Sequence, residues 1–434
     1  MLVTSRIVAA LCVCLAGQAV AQQTESEFKL FGYAKLMVVA DDKKGGRLNQ
    51  STPGFGGKLG IETGDFHGFQ LRAAGYTTSD LGLRHEDPRR TDAYMFDVDK
   101  TPYSLLGEAH LNYRAGKSII TAGRQEFFSP VINTYDYRII PNLFEAITLK
   151  NGDIPDTTVT LAYVSKMSGL DGLVSFADFH SMSQQAYVSL KVDANLRLDA
   201  AGGDTLDLSR VVGHRGVWVA GVADNKDQRF QLWNFYGVDT TNTLYLDGRY
   251  QHQLNRELVA TLEAQTYTIT DIGRFKDYLA QQGLNGRYGL VGVKGTLAHK
   301  ASGISVAVAA NRFSGDRTTV TSFGNWGGYP EFVSMPYLFA ESSASAIARS
   351  RLARVTVLCD LTAWGIPDHS LLLGHSKIDL DESVMANSDI NLSTLLYRAK
   401  LSEKLSARIS LESRNSANAR YSNSFGTLAF RYQF

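Results

Sequence analysis

Apolar and polar side chains alternate one by one along most of this chain. Leu105 to Ala115 is the clearest stretch: Leu105, Gly107, Ala109, Leu111 and Tyr113 fall on one face, and Glu108, His110, Asn112 and Arg114 on the other. A period of two is that of a β-strand with one apolar and one polar side. The pattern returns in Thr243–His252, with Leu244, Leu246, Gly248 and Tyr250 set against Asp247, Arg249 and Gln251. It returns again in Leu401–Glu412, with Leu405, Ala407, Ile409 and Leu411 set against Ser406, Arg408 and Glu412. Further segments are Phe28–Val39, Phe55–Thr63, Phe69–Thr78, Thr157–Val164, Phe230–Tyr236, Leu258–Thr268, Arg287–Leu297, Ile304–Phe313, Leu352–Cys359 and Ile390–Lys400. The last residues alternate too: Leu428, Phe430, Tyr432 and Phe434 are apolar, with Thr427, Ala429, Arg431 and Gln433 between them.

The connections come in two lengths. Short turns are predicted at Asp65–Gly68, Gly116-Lys117, Asn151–Asp156, Asn225–Asp227, Leu254-Asn255, Ala298–Ala301 and Ser402-Glu403, and they interleave with long stretches at Asp80–Pro102, Gln125–Leu143, Lys166–Arg215, Thr270–Gly286, Ser314–Ala346 and Asp379–Asp389. Short links on one side and long loops on the other are the asymmetry of an outer-membrane barrel. The expected fold is therefore all-β, a transmembrane antiparallel β-barrel of eighteen strands. It becomes twenty if Gln184–Val192 and Asn195–Ala200 join the wall; otherwise that pair belongs to a long loop. The terminal strand would pair with the first and so remove the sheet edge, with its aromatics at the bilayer interface. Taken alone, an ordinary edge strand is the alternative for that segment. Barrels of about 16–18 strands enclose an aqueous channel.

The amino terminus and the composition fit this picture. Arg6, the apolar run Ile7 to Ala16 and the triplet Ala19-Val20-Ala21 read as a secretory signal peptide over residues 1–21, implying Sec-type export and a mature barrel over 22–434. The apolar run is shorter than the roughly 20 residues of a spanning helix. With the first strand starting at Phe28, no N-terminal plug domain is expected. Cys12 and Cys14 lie in the signal segment and leave Cys359 alone, so no intrachain disulfide is expected. The 39 Gly, 20 Tyr and 21 Phe and the mean hydropathy of −0.14 suit a barrel whose apolar residues arrive singly. A net charge of +1 gives a nucleic-acid partner no electrostatic support. The expected partners are small organic solutes, outer-membrane lipid and lipopolysaccharide, and the barrel-assembly machinery. No cofactor or metal is expected.

The long stretch at 125–143 narrows the identification. It follows Thr121-Ala122-Gly123-Arg124 and contains Pro130-Val131-Ile132, then Tyr135-Asp136-Tyr137-Arg138-Ile139-Ile140-Pro141, and ends at Phe144-Glu145. The order of Asp136, Arg138, Pro141, Phe144 and Glu145 resembles the third extracellular loop of the OprD family of substrate-specific outer-membrane porins. Trp233-Asn234-Phe235-Tyr236-Gly237-Val238-Asp239 is similar to that family's aromatic strand ending before a short acidic turn. Two departures stand out. The family's Arg-Asn-aromatic cluster on the first strand is replaced by Phe31-Gly32-Tyr33-Ala34-Lys35, and Trp326-Gly327-Gly328-Tyr329-Pro330 is similar to more distant members.

The resemblance implies a third loop folded into the lumen, a monomer or loose trimer, and a ladder of basic side chains guiding small carboxylates such as amino acids. A carboxylate entering a pore loses hydration, and guanidinium forks replace it with bidentate charge-assisted hydrogen bonds. Several weak sites in series let the solute move on. Alternation puts Arg72, Arg114, Arg124, Arg249, Lys294, Arg354, Arg398, Lys400 and Arg408 on the inner face. Each by itself has the simpler reading of a solvated or cross-strand-paired charge, with Glu108 or Glu412 as partners. Tyr135, Asp136 and Arg138 are the constriction candidates, or else residues that pin the loop to the wall.

Two other classes compete with a channel: a barrel hydrolase and a structural barrel with a filled lumen. His110, His214, His252 and His375 are present, but no Gly-x-Ser-x-Gly or His-Glu-x-x-His motif accompanies them, so no enzyme is expected.

Overall fold

The computed structural model describes residues 28–91, 95–136, 138–169, 174–224, 230–321, 326–333, 348–383 and 387–434. The expected signal peptide and the expected turn at Asn225–Asp227 lie outside them. The strands are β1 (Phe28–Lys43), β2 (Gln50–Thr63), β3 (Phe69–Ser79), β4 (Ser104–Ala115), β5 (Ser118–Gln125), β6 (Leu143–Asn151), β7 (Thr157–Ser168), β8 (His180–Ser181), β9 (Tyr187–Val192), β10 (Asp204–Asp207), β11 (Val217–Asp224), β12 (Phe230–Gly237), β13 (Thr241–Gln253), β14 (Leu258–Asp271), β15 (Tyr288–His299), β16 (Ile304–Phe313), β17 (Arg351–Asp360), β18 (His369–Asp379), β19 (Ile390–Lys400), β20 (Leu405–Ser416) and β21 (Asn423–Gln433).

Each wall strand pairs antiparallel with the next, β7 pairs with β11 across the longest loop, and β1 pairs with β21 from Tyr33↔Gln433 to Lys43↔Asn423. The ring is a closed barrel of eighteen strands. The Phe434 N–H continues the closing ladder by donating to the Gly32 carbonyl at 3.1 Å. No lipid-facing edge remains, as a membrane-spanning sheet requires.

The twenty-strand alternative fails. Tyr187–Val192 pairs with Asp204–Asp207 in a two-stranded sheet of its own within the loop after β7, and Asn195–Ala200 is a turn rather than a strand. Two wall strands had no clear alternation to announce them. Val217–Asp224 is built mainly of small residues, and His369–Asp379 opens with Leu371-Leu372-Leu373. The segment Leu401–Glu412 loses its first four residues to a turn, since β20 starts at Leu405.

The facing of β4 also needs correction. Its register with β3 slips between Ala74 and Gly75, opposite Glu108 and Leu106, so Gly107 is bulged. A Cβ on Gly107 would strike the Tyr76 ring and Leu143. A bulge reverses the parity beyond it. Leu106, not Leu105, is therefore exposed on the outside, while Leu105 packs against the core.

The core lies inside the barrel, at the end that carries the long loops. Phe127, Val131, Ile132, Ile139 and Ile140 of the loop between β5 and β6 are buried against Tyr33, Tyr76, Leu143 and Phe144 of the wall. The third long loop thus folds inward.

Candidate functional site

The tip of the third loop is tied to the inner wall by charge and by one phenol. Lys35, inward on β1, places its Nζ 3.2 Å from Asp136 Oδ1 and donates to the Arg138 carbonyl at 2.5 Å. The Arg431 guanidinium on β21 pairs with the other Asp136 oxygen and lies 4.0 Å from the Tyr33 ring centre. Tyr33 Oη donates to the Ile139 carbonyl at 2.9 Å. Lys35 stands in the family-departing segment of the first strand and was not among the expected site residues. Its signal was present, because it shares parity with Tyr33 on the side away from Leu36 and Val38.

A second loop joins the first. Residues 326–333, from the loop between β16 and β17, lie against the third loop: Asn133 N–H donates to Trp326 O at 3.1 Å, and Gly328 N–H to Val131 O at 2.9 Å. Trp326 is buried, and its Nε1 donates to Met182 O at 2.8 Å. Tyr329 packs edge-on to Tyr135, with ring centres 6.2 Å apart. A Cβ on Gly328 would run into the Pro130 carbonyl and the Val131 backbone, so glycine is what lets the two backbones meet. Glu331 is fully buried and accepts from Tyr267 Oη at 2.9 Å. Burial pushes its carboxyl up to about 7.

The expected basic residues divide into groups. Arg354, Arg398 and Arg408 face inward on β17, β19 and β20, and Arg398 stands directly opposite Arg408. Arg408 and Arg398 act electrostatically on Tyr135, and Arg354, Arg408 and Arg414 act on the buried Glu412. Arg414 and Arg431 complete this wall and were not expected, although alternation puts both inward. Lys400 and Arg114 face inward at the short-turn mouth. Among the described residues, Arg114, Arg354, Arg398 and Lys400 have no carboxylate within 4 Å.

Other expected rungs are compensated. Arg72 lies 2.8 Å from Glu62 and 2.6 Å from Glu108. Lys58 joins that cluster at 2.9 Å from Glu108 and 2.8 Å from Glu126, and Tyr76 Oη donates to Glu108 at 2.6 Å. Arg249 stands opposite Glu263, which pairs with Lys294 at 2.8 Å. Arg138 is buried; its Nη2 donates to Asn142 Oδ1 at 2.5 Å and its guanidinium lies 5.7 Å from the Phe176 ring. Its side chain pins the loop and does not line a path.

Arg124 does not face the lumen. It stands opposite Ala109 on β4 and Glu145 on β6, in line with outward Ile120 and Ala122. On the outer surface it approaches Glu145, which pairs with Lys166 at 3.3 Å. The inward facing expected for Arg124 is therefore wrong: regular alternation along β5 keeps it on the same side as Ile120 and Ala122.

By sequence, no family model and no curated relative matches the chain. Solved structures do match. OccK9 (OpdG) of Pseudomonas aeruginosa superposes with a TM-score of 0.73 over 94% of this chain and 98% of its own, at 14% identity. OccAB1 of Acinetobacter baumannii gives 0.71 over 95% and 99%, also at 14% identity. OpdK of Pseudomonas aeruginosa, solved with vanillate, gives 0.69 over 94% and 98%, at 14% identity. These are OprD/Occ family porins. The chain has their fold. In this chain, as the barrel fold allows, the inward loops occupy the interior at the end that carries the long connections.

One pair bears on the hydrolase alternative. Ser181 Oγ is 3.1 Å from His214 Nδ1, but that hydroxyl also meets Ser183 and Gln184. Among the described residues no carboxylate is hydrogen-bonded to His214, so no triad is built there.

Proposed function

We propose that this chain is an outer-membrane porin of the OprD type that passes small carboxylate-bearing solutes by passive diffusion, not an enzyme and not a filled structural barrel. The observation that carries the reading is the imbalance at the constriction. Among the described residues, Lys35, Arg354, Arg398, Arg408, Arg414 and Arg431 outnumber Asp136 and Glu412 at the loop tip and the wall beside it. Net positive charge in a narrow, low-dielectric passage concentrates anions. Asp136 faces the same passage and suits the ammonium group of an amino acid. The vanillate solved with OpdK, an aromatic carboxylate, supports the class of solute on the strength of the shared fold.

The test is planar-bilayer recording on the purified mature protein, followed by liposome uptake of a carboxylate and a neutral sugar of equal size. The expected result is steady conductance, a reversal potential on the anion-selective side in a salt gradient, and faster carboxylate uptake. Cation selectivity, or equal uptake of the two solutes, would refute the carboxylate reading while leaving a general porin.

A further inference from the structure

The outer face of the barrel carries a cationic patch at the extracellular ends of β16, β17 and β18. Arg312 is the penultimate residue of β16 and Arg351 the first of β17, and the two stand directly opposite each other. Strand alternation turns both outward, because the same face of β16 presents Val306 and Val308, and that of β17 presents Val355. Lys377 of β18 shares this face, opposite Ala353, and lies diagonally beside Arg351. All three side chains are exposed, and among the described residues none makes an ion pair or side-chain hydrogen bond. The acid on the patch is Asp379, opposite Arg351, while the nearby Asp381 is taken by Arg349 at 2.9 Å.

Like charges directly across a strand pair repel. Such a pair on a lipid-facing wall, just above a belt of valines, is stable when an anion sits between the guanidinium groups. Arg is the residue suited to that task, since its planar fork bridges phosphate oxygens. A second observation points the same way. Below and beside the patch, the outer face of β17 to β21 forms a shallow groove of about 750 Å3, walled by Val355, Val357, Leu373, Leu395 and Leu411. The groove is mainly apolar, with Asp42, His375, Ser393 and Ser413 at its margin, and it begins at Val355, four residues along β17 from Arg351.

We propose that Arg312, Arg351 and Lys377 form a binding site for the phosphate groups of an outer-leaflet glycolipid, with one acyl chain lying in the groove beneath. The proposal rests on the outer-membrane reading above but not on what the pore conducts. Three cations against Asp379 and the flanking Asp389 leave net positive charge, which suits the phosphates of a glycolipid. A lumen-directed role is excluded by the facing of the strands.

The experiment uses the full mature protein in detergent, with diphosphorylated lipid A, dephosphorylated lipid A and phosphatidylglycerol as probes, read by native mass spectrometry. The expected result is retention of diphosphorylated lipid A by the wild type. Arg312→Gln/Arg351→Gln/Lys377→Gln should weaken that binding at least about tenfold, with single-channel conductance unchanged. Val355→Trp, which fills the groove without touching the cations, should weaken it less. Equal binding by wild type and triple variant would overturn the site. Equal retention of phosphatidylglycerol and lipid A would overturn the glycolipid assignment in favour of general anionic attraction. If the triple variant does not insert, the wild type decides alone: binding unaffected by removing the phosphates refutes the proposal, and loss of binding supports it. Absence of conductance in the wild type would strike the porin reading and leave this one standing.

Discussion

Two walls of the same lumen carry basic residues and use them differently. On β2 to β4, Lys58 and Arg72 are enclosed by Glu62, Glu108 and Glu126, each of these two cations has a carboxylate within 3 Å, and Tyr76 adds a hydrogen bond. On β17 to β21, Arg354, Arg398, Arg408, Arg414 and Arg431 share Glu412 and Asp136. In the first cluster two cations stand among three carboxylates and their charge is fully matched. Among the described residues the second wall sets five cations against two carboxylates, a positive field into which a solute can bring its own counter-charge. Inward position makes a basic residue available to the lumen, but the surrounding acids decide whether it is available to cargo.

The comparison breaks most easily on the side where the cations are matched. Lys58 and Glu108 are both buried, so Lys58→Met leaves Glu108 with Arg72 alone and strands Glu126. Removing one partner of a buried pair costs about 3–5 kcal/mol. The variant should unfold at markedly lower urea in detergent micelles, with the anion selectivity of any inserted protein unchanged. Normal stability would mean that the cluster is solvated and that the two walls do not differ in kind.

The charged side should respond in the opposite way. Arg398→Gln/Arg408→Gln removes a directly opposed like-charge pair beside Tyr135. Each charge contributes about 1 kcal/mol to a carboxylate near 4 Å in a water-like medium, so loss of both should lower carboxylate uptake by up to about thirtyfold. A neutral sugar should be almost unaffected, and urea stability should hold or rise. Equal losses for both solutes would mean that packing was removed, and no loss for either would take these side chains off the permeation path.

Much of the barrel was legible because a wall with lipid on one side and water on the other writes its period into the chain. Thr243–His252 matches the structure in facing, and the terminal strand pairs with the first as expected. Alternation stops being informative where the backbone departs from it. The bulge at Gly107 inverts Leu105 and Leu106. The expectation for Arg124 failed for another reason, since β5 alternates regularly and its face was assigned wrongly. The site was less legible for a different reason. Parity places Arg72 and Arg354 alike on the inner face, and only three-dimensional neighbours show that Glu62 and Glu108 claim the first. Arg138 was left open between lining the constriction and pinning the loop; it is buried on Asn142, a partner in the same loop that gave no pattern. The Trp326–Pro330 segment was noticed as a motif, but its contact with residues 131 and 133 spans nearly two hundred positions and leaves no periodic trace.

That contact gives a third way to probe the difference between walls. The two inward loops meet through Gly328, with no space for a side chain. Gly328→Val should force them apart, since overpacking costs about 1–3 kcal/mol. Conductance should rise about twofold as the constriction loosens, and the preference for carboxylate over sugar should narrow but not vanish, because the arginine wall stays in place. Unchanged conductance would place the narrowest point away from this contact.

The smallest effect expected is a pH dependence seated on the second loop. Glu331 is buried against Tyr267, Tyr288 and Tyr245, with no cation paired to it among the described residues, and accepts from the Tyr267 hydroxyl. Burial holds its carboxyl at about 7, above the ordinary value of 4.5. A carboxyl raised in the folded state binds more protons there than in the unfolded chain. Its contribution to seating the loop is therefore complete below about pH 4.5 and is lost as pH rises through about 7. Above that, an ionised Glu331 in a dry site favours release of residues 326–333 from the wall. Open-channel noise and mean conductance should rise modestly between about pH 5.5 and about pH 8.5, by less than about twofold. Glu331→Gln keeps an acceptor for Tyr267 and cannot ionise, so its traces should stay flat across that range and match those of the wild type at low pH. A pH response that survives in Glu331→Gln would assign the titration to another group. A wild-type channel already flat across neutrality would mean that water reaches Glu331 and that the loop is seated without it.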